Sequence, residues 1–117
     1  MGILDVITGY MAGPDATRPV LLRVMEGLFA APPDGVDLHE LLARMEKAGL
    51  ADVGHSWTSS HHNKSISVAQ VRQILTPHDI KRIASHARLD EQEVLGLLAE
   101  HLPGIVDGIT PDGRIPT

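Results

Sequence analysis

Apolar residues along this chain recur at intervals of three and four rather than alternating, the spacing of one helix face and not of a half-buried strand. The first such stretch runs from about Gly2 to Met11, with Ile3, Leu4, Ile7, Tyr10 and Met11 on one side, and Gly13-Pro14-Asp15 ends it. A second runs from Thr17 to about Ala30 and is apolar over more than one stripe, which predicts a helix deep in the assembly. After a stiff Ala31-Pro32-Pro33-Asp34-Gly35 linker, a third covers about Leu38 to Ala48. Its grammar is explicit: Asp37 caps, Glu40 reaches back, Val36 staples onto Leu41, and Gly49 supplies the left-handed residue that lets Leu50 fold back on Met45.

A helical turn around Asp52 to Thr58 holds the single tryptophan, Trp57, and Ser59-Ser60-His61-His62-Asn63-Lys64-Ser65 reads as a polar loop. Three further start signals follow, at Ser67 with Gln70, Thr76 with Pro77, and Asp90 with Glu93. They predict helices near Val68–Leu75, Pro77–Arg88 and Glu91–Ile109. Pro103 removes one backbone bond from the last, which predicts a kink there in preference to a split after Leu102. Thr110-Pro111-Asp112-Gly113 has the residues of a type I turn, and Arg114 to Thr117 is a tail. The expectation is one all-α bundle of about six helices spanning residues 1–117, with residues 1–13 as an amphipathic arm able to dock on the bundle or on a second subunit, which makes a homodimer a candidate.

Composition supports this and narrows the function. Aromatic residues are only 3% of the 117 residues, too few for a typical strand-rich core, while 43% hydrophobic and 21% charged residues lie in the globular range. The absence of cysteine excludes disulfides, thiolate catalysis and sulfur-ligated zinc. A formal charge of −5 argues against a whole-surface phosphate binder. The start of the chain lacks the positive region of an export signal and no apolar run reaches the roughly 20 residues of a membrane span, so a soluble, cytoplasmic protein is expected.

Several stretches together resemble the YidB-like family of bacterial proteins, a domain of unknown function. They are Gly2-Ile3-Leu4-Asp5, Ala48-Gly49-Leu50 through Ser56-Trp57, Asn63 with Ile66-Ser67, and Leu102-Pro103-Gly104-Ile105-Val106-Asp107 through Thr110-Pro111-Asp112-Gly113. The resemblance covers most of the chain and implies a compact multihelical fold, sometimes described as homeodomain-like, with no established activity. Similar sequences are usually glycine-rich after the tryptophan, where this chain has Ser60-His61-His62 and Lys64-Ser65.

Three chemistries compete. Ala84, the turn at Arg88-Leu89-Asp90, and Val94 have helix-turn-helix spacing, but the second helix offers Asp90, Glu91, Glu93 and Glu100 and no Lys or Arg. Against a duplex carrying one negative charge per about 1.7 Å, such a helix is repelled. A nucleic-acid alternative must use the cations that precede it, Arg72, Lys81, Arg82 and Arg88, whose plainer reading is a solvated face. Metal binding through His61 and His62, joined by His55 or Asp52, is a third reading, weakened because no helical pair of histidines stands four apart.

No nucleophile elbow, phosphate loop or dinucleotide fingerprint is present, so no catalytic residue or cofactor is nominated. Trp57 either anchors the loop on the core or faces a partner. The expected function is a non-catalytic module that binds another protein, with Trp57, His61, His62, Lys64, Arg72, Lys81 and Arg82 as its candidate surface.

Overall fold

The computed structural model describes residue 7 and residues 18–30, 35–58 and 63–110, with the Arg18 side chain excepted. The expected first helix apart from Ile7, the centre of the proline linker, His61 and His62, the 110–113 turn beyond Thr110, and the tail lie outside the described residues. Among the described residues there are six helices and no strand: α1 Arg18–Leu28, α2 Leu38–Lys47, α3 Ala51–Trp57, α4 Val68–Ile74, α5 Pro77–Ala87 and α6 Glu91–Ile109. Ile7 is itself helical and completely buried in the same apolar cluster as the six helices.

The capping residues set these boundaries. Ser67 and Thr76 each form a reciprocal box: the hydroxyl accepts from the amide three residues on, and the side chain of that residue, Gln70 or Asp79, accepts from the cap's own amide. Asp37 and Asp90 cap in one direction only, accepting from the amides of Glu40 and Glu93 at 2.7 and 2.8 Å. The expected return bond from Glu40 is replaced by a forward one, because Arg44 one turn later donates to it at 3.2 Å. A charged partner on the same face outcompetes a neutral amide at an exposed helix start.

At the other end of α2, Gly49 is left-handed (φ +80). The Leu50 amide donates to the Met45 carbonyl at 2.7 Å and the Gly49 amide to that of Glu46 at 3.2 Å, the paired bonds of a Schellman closure.

The long helix α6 is the central rod. Val94, Leu95, Leu98, Leu102, Ile105, Val106 and Ile109 are all buried, and α1, α3, α4 and α5 pack around it. It continues through Pro103 as a single helix, so the alternative of a split after Leu102 does not occur. The most extensive helix–helix contact is between α1 and α5. It is close because Gly27 has no side chain: a Cβ there would stand 3.2 Å from the Ile83 Cα.

Candidate functional site

Two adjacent side chains at the end of α3 hold the loop that follows. Ser56 Oγ donates to the Val53 carbonyl at 2.6 Å and accepts from the Lys64 amide at 3.0 Å, while the Trp57 indole N–H donates to the Lys64 carbonyl at 2.8 Å. Both polar groups of one loop peptide position are thereby satisfied from below. Trp57 is fully buried, so of its two readings the core anchor is the observed one, and it is not part of an outer surface. The aromatic body fills the core while the indole N–H reaches the loop backbone.

A second polar centre sits at Asp79, the third residue of α5. Its Oδ2 accepts from Arg44 Nη1 at 2.8 Å and from the Thr76 amide at 3.0 Å. Arg82 Nη2 stands 3.7 Å from its Oδ1, an ion pair too long for a hydrogen bond. Arg44 Nη1 also donates to the Ile74 carbonyl at 3.2 Å, and Arg82 Nη1 donates to the Gly27 carbonyl.

Asp79 therefore links α1, α2 and the α4–α5 turn through two guanidinium groups. Burial pushes the Asp79 carboxyl up, but the bonds from Arg44 and Thr76 and the Arg44 charge outweigh it and leave the carboxyl below its ordinary value. Burial likewise opposes the Arg44 charge, and its bonds to Asp79 and Glu40 more than compensate.

This arrangement divides the cations nominated from the sequence. Arg82 is only 17% exposed at its side chain and points its donors inward, so it is removed from the expected surface and from the nucleic-acid alternative. Lys64, Arg72, Lys81 and Arg88 are exposed. Arg72 meets other cations: with Arg44 and Lys47 from the last turn of α2 it lines a groove of about 450 Å³ completed by the apolar Ala48, Ile74, Leu75 and Pro77 and the polar Gln73 and Thr76. The Arg44 charge is answered by Glu40 and Asp79, whereas Lys47 and Arg72 have no ion pair among the described residues. The apolar lining with a cationic edge suits a chain segment that is apolar on one side and carries carboxylates on the other.

Sequence reasoning missed Arg44 and Lys47, since nothing local says that the end of α2 will meet the end of α4. The available signal was Asp79: a capping-box carboxylate among cations is a place where an arginine from elsewhere docks.

A second cavity, of about 430 Å³, lies between α1 and α5 beside Glu26, Gly27, His78, Arg82 and His86. His86 Nε2 is 3.7 Å from Glu26 Oε1, too far for a hydrogen bond. Among the described residues no three His, Asp or Glu side chains are grouped to hold a metal ion, and His61 and His62 lie outside them. At the α5–α6 corner, Ala84 and Val94 are buried as a helix-turn-helix requires, while Asp90, Glu91, Gln92 and Glu93 are exposed at the start of α6. That exposed end presents carboxylates to any approaching phosphate backbone. Among the described residues no helix is long and apolar enough to cross a membrane.

Comparison with known proteins agrees with this architecture. Residues 6–117 match the family described as YidB-like protein. The chain is similar to the uncharacterized protein YidB of Escherichia coli strain K12, with 24% identity over an alignment of 116 residues and coverage of 98% of this chain and 83% of the relative. Its fold is similar to that of a homeodomain-like protein of unknown function, S4005, from Shigella flexneri, with a TM-score of 0.66, 24% identity, and coverage of 95% of this chain and 83% of the other.

Proposed function

The chain belongs to the YidB-like family, and from that premise we propose that it is a non-catalytic module that binds another protein through the groove edged by Lys47 and Arg72. The observation that carries this reading is the groove itself: an apolar lining joined to two exposed cations that have no ion pair among the described residues. Size supports it, since about 450 Å³ takes a short peptide segment with one or two anchoring side chains. Charge gives orientation and rate, and the apolar lining gives the burial that retains the partner.

The test is fluorescence anisotropy with a labelled peptide of alternating glutamate and leucine, run beside a labelled DNA duplex. The peptide should bind, and Lys47→Glu combined with Arg72→Glu should weaken it about tenfold while leaving the circular dichroism spectrum unchanged. Duplex binding that survives about 200 mM salt, with no peptide binding, would replace this reading with the nucleic-acid one. Peptide binding unaffected by the double substitution would remove the groove from the proposal.

A further inference from the structure

The groove between the ends of α2 and α4 is lined by three cations and by no Asp or Glu among the described residues. The glutamates of α2 are placed otherwise: Glu40 accepts from Arg44, and Glu46 lines a separate pocket against α3 with Gly54 and His55. An occupant bearing carboxylates therefore meets no like charge inside the groove.

The outward side of α6 has the complementary pattern. Glu93 and Glu100 are exposed and Leu97 between them is half-buried, at positions i, i+4 and i+7 of one helical face. Seven residues place the two glutamates about 10 Å apart along the axis. From Leu89 to Thr110 the chain has no Lys or Arg. Glu93 has no ion pair among the described residues, and Glu100, 72% exposed at its side chain, stands 3.7 Å from His101 Nε2, beyond hydrogen-bond distance. Gly96 beside Leu97 is exposed, and a Cβ there would meet no described atom of another element within 4 Å, so this side of α6 is open.

We infer that the occupant of the groove is a second copy of this chain, whose α6 sets Leu97 against the apolar lining and Glu93 and Glu100 against Lys47 and Arg72. This rests on the reading of the groove as a protein-binding site and names its partner. Charge complementarity favours that partner, because an apolar residue flanked by carboxylates is what the groove suits and what the chain itself leaves uncovered. Each copy carries a formal charge of −5, but repulsion between exposed charges is screened beyond about 8 Å at physiological ionic strength, and charges in contact are screened less. One helix face in one groove is a small contact, so association is weak, with a Kd of about 10–100 µM.

The test is sedimentation velocity of the full chain over a concentration series, in about 150 mM and about 500 mM salt. The parent should self-associate, and less so in the higher salt. Lys47→Glu with Arg72→Glu should weaken association about tenfold, and so should Glu93→Lys with Glu100→Lys. All four positions are exposed, so circular dichroism should not change. Mixed in equal amounts, the two variants should form a one-to-one dimer, because each supplies the surface that the other lacks. The neutral pair Glu93→Gln with Glu100→Gln should weaken association about threefold, and it gives the same reading if a charge reversal unfolds the chain.

A parent that stays monomeric at about 200 µM overturns the inference. If the glutamate–leucine peptide still binds at Lys47 and Arg72 in that case, the groove reading survives; if the peptide fails too, both fall. Association that ignores either charge reversal, or a mixture no more associated than its separate components, also overturns the second copy as occupant.

Discussion

Arg44 and Arg82 on one hand, and Arg72 and Arg88 on the other, carry the same guanidinium into opposite circumstances. The first two converge on Asp79 and on backbone carbonyls at Ile74 and Gly27, tying α2 and α1 to the start of α5. The second two are exposed and have no ion pair among the described residues. Charge counted along the chain treats all four alike. Burial separates them, because a desolvated guanidinium must find acceptors whereas a solvated one already has them. What remains outside is then a smaller and better-defined set of contacts than the sequence total suggests.

The comparison can be broken most forcefully at its centre. Asp79→Ala should destabilise the protein by about 3 kcal/mol, since it removes the carboxylate shared by two guanidinium groups that are mostly out of water; urea unfolding checks this. A loss under about 0.5 kcal/mol would mean that the inner arginines are no more committed than the outer ones. Arg44→Ala should cost about 2 kcal/mol, less than Asp79→Ala, because Arg82 remains beside the carboxylate and Arg44 is itself 28% exposed. A double-mutant cycle between the two positions should show coupling, and Asp79 with Arg72 should show none.

Acid sharpens the same contrast. The Asp79 carboxyl is held below its ordinary value, so its contribution is complete above the unfolded-state pKa of about 3.9 and disappears as pH falls through the lower, folded-state value. The parent protein should therefore lose stability steeply below about pH 4, and Asp79→Asn should show a flatter dependence there in pH-resolved unfolding. Arg72→Ala, the smallest effect, should leave stability within about 0.5 kcal/mol of the parent, and a larger loss would place Arg72 with the inner pair.

Much of the fold was legible because capping is local. Ser67, Thr76 and Asp90 announced their helices within a residue of the observed starts, and Gly49 announced the end of α2, since each acts on amides three to five positions away. The error at Glu40 was also local: two partners lay within reach, and the one on the next turn carried a charge. Trp57 was legible as a large aromatic beside a loop, but its complete burial and its bond to the Lys64 carbonyl were not, because they depend on where the loop returns. The groove was not legible at all. Its cations come from α2 and α4, more than twenty residues apart, and only packing brings them to one edge.

The sequence by itself determined the helix boundaries, the apolar faces and the family resemblance, because propensity, capping and periodicity act over one or two turns of chain. The tertiary structure alone decided which arginines are enclosed, which pair of helix ends forms a groove, and that the tryptophan faces inward. Those outcomes depend on desolvation, and a side chain loses its water only when segments distant in sequence close over it.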